Sequence, residues 1–127
     1  MGLDMYAYKV AKDAVITENE YGEEAYPATH LANWRKHNSL HGWMENLYHE
    51  KGGGEKVFNG IELELTESDI KNLKKAVKDN KLPETRGFFF GEDSRFDKYN
   101  KKQDLKFIKD ALDAIKNEYK VYYNSSW

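Results

Sequence analysis

The stretch WRKHNSLHGW, residues 34–43, lies in the middle of the longest helix-like segment of the sequence. Apolar residues on both sides of it follow helical spacing, so the sequence predicts one long helix from about Pro27 to His49. Proline is common in the first turn of a helix, and the glycines of KGGG, residues 51–54, end it. Two tryptophans, two histidines, two basic residues and an asparagine within ten positions make this helix the candidate functional region.

A helical projection separates the two sides of this predicted helix. Trp34, His41 and Met44 fall inside one apolar arc, which is typical of a buried face. Asn38 and Arg35 border that arc. The polar groups are therefore expected along the flank of a buried face, where a pocket could open.

Two interpretations of this flank involve no organic ligand. In the first, Asn38 and His41 are core groups satisfied by neighbouring hydrogen bonds, and Asp4, on a strand facing the helix, pairs with Arg35 or His41. In the second, His37 and His41 hold a metal ion, since side chains four residues apart on a helix can reach one ion. That pattern is weak, because neither an HExxH sequence nor a third nearby histidine accompanies it.

The third interpretation is a pocket for a small ligand. Arg35 offers a fork of donors to a phosphate or carboxylate. Asn38 and His41 can each donate and accept hydrogen bonds, which suits a base edge or a ribose hydroxyl, and aromatic rings can stack on a planar ligand. An anionic group with a planar ring describes a nucleotide. The predicted ligand-binding set is Trp34, Arg35, Asn38, His41, Asp4 and Phe89.

Strand patterns occur along the rest of the chain. LDMYAYKV alternates in polarity and predicts a strand at about residues 2–10, with Leu3, Met5 and Ala7 on one face. Asn59-Gly60 favours a tight hairpin turn before the alternating residues 61–65. The aromatic run between glycines at 87–91 predicts a central strand, and residues 121–123 predict a final one.

Helix patterns lie between these strands. Residues 66–69, Thr-Glu-Ser-Asp, form a capping box that opens a second helix. Leu105, Ile108, Leu112, Ile115 and Tyr119 follow helical spacing and predict a third. The sequence therefore predicts an α+β fold, a two-layer domain in which about three helices pack on a mostly antiparallel sheet.

Length, residue composition and charge exclude several classes of protein. A length of 127 residues without a linker predicts a single globular domain, residues 1–127. The absence of cysteine excludes disulfides, thiolate zinc sites and cysteine nucleophiles. Twenty basic against 22 acidic side chains leave no cationic surplus for a nucleic-acid polymer as partner. No apolar run is long enough for a signal peptide or a membrane span, so we expect a cytoplasmic location and no membrane partner.

Four motifs in this order resemble a group of small uncharacterised proteins found mostly in tailed-phage genomes. They are MGLDMY at residues 1–6, WRKxNxxHxW at 34–43, GFFFG at 87–91 and YYxSSW at 122–127. His37 departs from the pattern, because other members tend to carry a small residue there, and this weakens the two-histidine metal site further. The resemblance implies a phage protein acting in the host cytoplasm, where such accessory proteins often counter host defence.

Three functions remain open from the sequence. The first is a non-catalytic binder of a nucleotide-like small molecule. The second is an inhibitor that docks on a host protein through the acidic loop 18–24 or through exposed tyrosines. The third is a small hydrolase or transferase with His41 as general base, which is disfavoured because the common catalytic motifs are absent. No cofactor is predicted, and a thin core favours a homo-oligomer.

Overall fold

In the part of the chain that the structure describes, the fold consists of a four-stranded antiparallel sheet, a two-stranded ribbon and three helices. The computed structural model describes residues 2–15, 17–18, 20–22, 24–25, 27–83 and 98–127. In chain order the elements are β1 (Asp4–Ala11), β2 (Thr17–Glu18), β3 (Glu24–Ala25), β4 (Ala28–Arg35), α1 (Asn38–Glu50), β5 (Leu63–Leu65), α2 (Glu67–Lys78), α3 (Lys98–Lys116) and β6 (Tyr119–Ser126).

The sheet has the strand order β4, β1, β6 and β5, and β2 and β3 form a separate two-stranded ribbon. Strand β1 pairs with β4 on one side and with β6 on the other. Its side chains alternate as predicted, because Met5 and Ala7 are buried in the core while Tyr6 and Tyr8 lie half-buried on the other face. The predicted strand at residues 2–10 is therefore confirmed.

Within the described residues, all three helices pack on the sheet face that carries Met5. The ring of Phe107 on α3 meets the ring of Trp34 edge-on at 5.0 Å between centroids. Tyr123 of β6 points to the same side and packs against α1. The helices contribute to one buried apolar cluster through Leu40, Met44, Leu47, Ile70, Leu73, Val77, Phe107 and Ile108. The predicted α+β fold with an antiparallel sheet is confirmed.

The start of α2 follows the predicted capping box. The Thr66 side chain accepts a hydrogen bond from the Asp69 backbone N–H at 3.2 Å, and the Asp69 carboxylate accepts one from the Thr66 backbone at 2.9 Å. These bonds satisfy donors that the first helical turn leaves without an internal acceptor. Lys51, just after α1, also donates to Asp69 and so joins the end of α1 to the start of α2.

The prediction of one helix from Pro27 to His49 is wrong in its first half. Residues 28–35 form β4, and the helix begins at Asn38. Lys36 separates the two elements with a φ of +56°, in the left-handed region that an α-helix excludes. Half of these eight residues are strong helix formers, namely Ala28, Leu31, Ala32 and Arg35, so local propensity does not exclude a helix. Pairing with β1 decides in favour of the strand.

Two further predictions change in detail. Gly60 has a positive φ of 71°, as a tight turn requires, but the strand after it, β5, pairs with β6 instead of completing a local hairpin. The third helix ends at Lys116, and Tyr119 belongs to β6. The predicted strand at 87–91 lies outside the described residues. None of the described helices has the length and apolar character needed to cross a membrane.

Candidate functional site

The residues predicted to bind a ligand do not share one environment. Trp34, Asn38 and His41 are buried, with relative exposures of 3%, 0% and 2%. Asp4 and Arg35 are exposed, and they pair with each other at 3.8 Å between a carboxylate oxygen and Nε. The predicted cleft open to solvent is therefore not formed by Asn38 and His41. Phe89 lies outside the described residues.

His41 takes part in an internal hydrogen-bond chain. Its Nδ1 lies 2.6 Å from the hydroxyl of Tyr123, and its ring also bonds to the backbone of Phe58. Burial lowers the pKa of His41 to about 4, so the ring is neutral at pH 7. A neutral imidazole has one donor and one acceptor, which matches a donated bond to the Phe58 carbonyl and an accepted bond from Tyr123. This histidine orders the core where α1, β6 and residue 58 meet.

A second buried group joins β4, α1 and α3. The carboxylate of Asp104 accepts a hydrogen bond from the indole Nε1 of Trp34 at 3.0 Å, and its other oxygen lies 2.7 Å from Nε2 of His37. Burial raises the pKa of Asp104 above its ordinary value, although the bonds from His37 and Trp34 act in the opposite direction. The buried Asp104 carboxylate is therefore a hydrogen-bond partner shared by Trp34 and His37.

The two histidines of the candidate metal site have separate partners. His37 bonds to Asp104 through Nε2, whereas His41 bonds to Tyr123 through Nδ1. In the described part of the chain, no cluster of three or more histidine, cysteine, aspartate or glutamate residues could hold a metal ion. The structure thus gives the histidine pair no third ligand.

The sheet face opposite the three helices carries a continuous group of polar and aromatic side chains. Strand register places them in rows across β4, β1 and β6, and we call this surface the open sheet face. The first row is Arg35, Asp4 and Ser126, the second is Asn33, Tyr6 and Asn124, the third is His30, Tyr8 and Tyr122, and the fourth is Ala28, Val10 and Lys120.

Three tyrosines form a ladder through the middle of the open sheet face. The rings of Tyr6 and Tyr8 are 6.5 Å apart between centroids and inclined by 27°, and those of Tyr8 and Tyr122 are 5.6 Å apart and inclined by 25°. All three side chains are half-buried. Near-parallel aromatic rings at this spacing attract each other beyond the burial of their area. The row next to Tyr6 holds the Arg35–Asp4 pair.

A small cavity of about 180 Å³ lies at the other end of the tyrosine ladder. Tyr8 and Tyr122 line it together with the carboxylate of Glu62, which accepts a hydrogen bond from the Tyr8 hydroxyl. Burial and this carboxylate raise the pKa of Tyr8 above its ordinary value, so Tyr8 stays a neutral donor. Lys12 and Lys120 complete the rim. Each is within reach of an acid, Lys12 of Glu118 at 3.3 Å and Lys120 of Glu64 at 3.9 Å.

A larger cavity of about 380 Å³ lies between α1 and α2. Trp43 of the WRKxNxxHxW motif forms one of its walls, and Asn46 and Asn72 contribute amide groups. None of the five predicted ligand-binding residues that the structure describes lines either cavity. Among these five residues, only the exposed Arg35 and Asp4 border a surface on which a ligand could be held by several side chains, and that surface is the open sheet face.

Sequence reasoning missed three important positions. Tyr6 and Tyr8 belong to the predicted first strand but were not connected to Arg35, because Arg35 was assigned to a helix. Asp104 lies four residues before Ile108, within the apolar stripe of α3, where a carboxylate needs a buried partner. A carboxylate in the apolar stripe of a helix was therefore the feature of the sequence that indicated buried partners for Asp104, which are Trp34 and His37.

Comparison with known proteins gives no family for this chain. No protein-family model, no curated protein and no solved structure matches it.

Proposed function

We propose that this chain is a phage-encoded accessory protein that binds a nucleotide-like small molecule on its open sheet face, without catalysing a reaction. The observation that carries the proposal is the tyrosine ladder, which leads to an exposed arginine on a face that the described helices leave uncovered. The phage context rests on the motif resemblance, and action against a host defence signal is the role that this context favours.

The aromatic part of the ligand would extend the ladder. Tyr6 is the last ring of the tyrosine ladder, and the strand register places the Arg35 and Asp4 positions next to it on the same face. A base that stacks on a tyrosine contributes about 1–3 kcal/mol in proteins that bind single-stranded nucleic acid. One aromatic ligand ring stacked beside Tyr6 would come within reach of the Arg35 side chain.

The polar part of the ligand would be held by the flanking rows. The Arg35 side chain is 72% exposed and meets Asp4 at 3.8 Å, a separation that leaves most of its donors to other acceptors. Its planar fork suits a phosphate, while the Asp4 carboxylate can accept from a ribose hydroxyl or an exocyclic amine. Asn33 and Asn124 stand on either side of Tyr6. Asn33 offers its amide group to a base edge, whereas the Asn124 amide already bonds to the Ser125 backbone N–H and to Tyr8. These groups together suit a nucleotide better than an uncharged apolar compound.

Thermal unfolding with a panel of nucleotides tests this function. A nucleotide bound at 100 times its Kd stabilises the folded chain by about 2.7 kcal/mol and raises the melting temperature. Arg35→Ala and Tyr6→Ser should each remove most of that rise. Lys71→Ala is the matched control, because Lys71 is another exposed cation paired with an acid, Glu67, but on α2. If no nucleotide in the panel raises the melting temperature, the proposal fails.

One observation favours docking on a host protein as a second candidate function. Tyr21, between β2 and β3 in the acidic 18–24 segment, has 80% of its surface exposed, and Val15 has 74%. Tyrosine is enriched where proteins bind one another. Co-purification of a host protein with the wild-type chain, abolished by Tyr21→Ser, would support this function over nucleotide binding.

The third candidate, an enzyme with His41 as general base, finds less support. The His41 ring is 2% exposed, and its pKa of about 4 makes it a weak base at neutral pH. Its Nδ1 also has the Tyr123 hydroxyl as a partner. We therefore propose a binding function rather than a catalytic one.

A further inference from the structure

Strand β4 is an edge of the sheet, and within the described residues it pairs with β1 alone. It is eight residues long, whereas β5 at the opposite edge has three. Ala28, Thr29, His30, Asn33 and Arg35 are exposed. Natural edge strands are commonly protected by shortness, lysine, proline, other charges or a bulge. β4 is long and has no lysine or proline, and its protective features are Arg35 and one bulge.

The backbone groups that point away from β1 can be identified. The Lys36 N–H donates to the Leu3 carbonyl at 2.9 Å, which sets the alternation along β4, because neighbouring residues of a strand direct their backbone groups to opposite sides. Trp34 and Ala32 therefore face β1, and Asn33 and Arg35 face outward. The Asn33 carbonyl confirms this direction, since it accepts a bond from the Gln103 side chain on α3 at 2.7 Å.

A β-bulge at Leu31 shifts the alternation by one residue. Ala7 pairs with Ala32 and Tyr8 pairs with His30, so Leu31 is the extra residue. Beyond the bulge Thr29 faces β1, and Ala28 and His30 face outward. The outward-facing residues of β4 are thus 28, 30, 33 and 35.

The positions of these outward-facing residues, 28, 30, 33 and 35, are symmetric about the midpoint between Leu31 and Ala32. If a second copy of β4 is placed antiparallel along the edge, Ala28 lies opposite Arg35 of that copy, and His30 lies opposite its Asn33. Every outward-facing residue then meets another outward-facing residue, as a ladder of backbone hydrogen bonds requires. The bulges of the two strands fall at the same point, so they do not disturb the register.

The side chains are compatible with this pairing. Arg35 is the one formally charged residue of β4 at neutral pH, and it would lie beside the small side chain of Ala28, without a like charge opposite. His30 and Asn33 can form a hydrogen bond across the interface. Gln103 does not block the ladder, because a carbonyl oxygen has two lone pairs and can accept a second bond.

We infer that the chain forms a symmetric dimer in which the two β4 strands pair antiparallel and join the sheets of both copies into one. The partner is a second copy of this chain, since the symmetric spacing of the outward groups, 28, 30, 33 and 35, is the register that self-pairing needs. This inference does not require the proposed nucleotide site, because the register of β4 carries it, although Arg35 belongs to both surfaces.

Light scattering after size-exclusion chromatography, repeated over a range of protein concentrations, tests the dimer. The wild type should show a mass twice the 14.9 kDa of the chain at high concentration. Ala28→Lys places a cation opposite Arg35 of the second copy, and Ala28→Glu places an anion there. Each change acts twice in a symmetric dimer, so the Kd should rise about 2- to 30-fold in the lysine variant and fall by a similar factor in the glutamate variant.

His30→Pro provides a second, independent variant. Proline removes an outward N–H that the monomer does not use in its sheet, and edge strands tolerate it, so the variant should fold as a monomer. Lys106→Glu, an exposed charge change on α3, is the control that should leave the Kd unchanged. A wild type that stays monomeric at all concentrations overturns the inference. So does a dimer whose Kd responds to neither Ala28 variant and survives His30→Pro.

Discussion

The Nε2 atom of His37 lies 2.7 Å from Oδ2 of Asp104, and both side chains are only 1% exposed. The other oxygen of the same carboxylate accepts the indole N–H of Trp34. Trp34 precedes the left-handed residue Lys36 and His37 follows it. One carboxylate on α3 therefore fixes the chain on both sides of the turn between β4 and α1.

Removing the Asp104 carboxylate should destabilise the fold strongly. In Asp104→Ala the indole of Trp34 and the imidazole of His37 lose a buried acceptor, and we expect a loss of about 3–5 kcal/mol in the free energy of unfolding. Asp104→Asn keeps one oxygen and should cost less, about 1–3 kcal/mol. Urea denaturation measures both. Asp110→Asn, on an exposed position of the same helix, is the control and should lose less than about 0.5 kcal/mol.

Protonation of His41 should weaken the fold at acid pH. Because its folded pKa, about 4, is below the ordinary value of 6.5, the unfolded chain binds a proton in this interval that the folded chain does not. Stability therefore rises with pH from about 4 to 6.5, by an amount on the order of 3 kcal/mol from this residue. The free energy of unfolding, measured at intervals from pH 4 to 8, gives the profile.

His41→Gln should flatten that profile, although it also lowers stability at pH 7 by disturbing the bond to Tyr123. His49→Gln removes an exposed histidine from the same helix and is the matched control. Equal slopes in the wild type and the His41 variant would show that the buried ring does not titrate as we describe.

Glycine at position 36 should stabilise the chain. Lys36 adopts a φ of +56°, which costs a residue with a side chain about 1–2 kcal/mol, and glycine avoids this cost. Glycine also loses more backbone entropy on folding, so we expect a net gain of about 0.5–1 kcal/mol in Lys36→Gly. Lys36→Val should shift the melting temperature in the opposite direction, since β-branched residues tolerate this conformation poorly. A lower melting temperature for the glycine variant would contradict the left-handed turn.

Two variants of the capping box of α2 separate the contribution of the Thr66 hydroxyl to stability from that of the Thr66 methyl group. Thr66→Ala removes the oxygen that accepts from the Asp69 backbone and should cost about 0.5–2 kcal/mol. Thr66→Ser keeps that oxygen and should retain most of the stability. Chemical denaturation of the three proteins checks the order. Equal losses in both variants would assign the effect to packing of the methyl group.

Burial alone would raise the pKa of Asp69, but the bonds from Lys51 and Thr66 outweigh it and lower that pKa. Asp69 therefore adds stability that is complete above its ordinary pKa and is lost as the pH falls through the lowered value. In Asp69→Asn this part of the acid profile should disappear.

Much of the fold could be predicted because local signals agreed with tertiary pairing. The alternation of LDMYAYKV and the capping box at 66–69 both specify elements that the structure contains. Residues 28–35 gave no such agreement, because their spacing also fits a helix. Their structure is decided by backbone pairing with β1, a contact with residues 18 to 31 positions away that no local window includes.

The candidate site was only partly predictable for the same reason. Arg35 and Asp4 were identified, and Asp4 was expected to pair with Arg35 or His41; in the structure it pairs with Arg35 at 3.8 Å. Asn38 and His41 were placed beside Arg35 by assuming one continuous helix. Because Lys36 interrupts it, Arg35 points to the open sheet face while Asn38 and His41 enter the core.

The position of β6 between β1 and β5 has a consequence for how the chain is made. During synthesis, β1 leaves the ribosome more than a hundred residues before the strand that it pairs with on this side. Until residues 119–126 emerge, β1 can pair with β4 alone among the described strands, and β5 has no described strand to pair with. We therefore expect nascent chains that stop before Tyr119 to stay sensitive to protease, and protection to arise in one late step when the final strand is inserted.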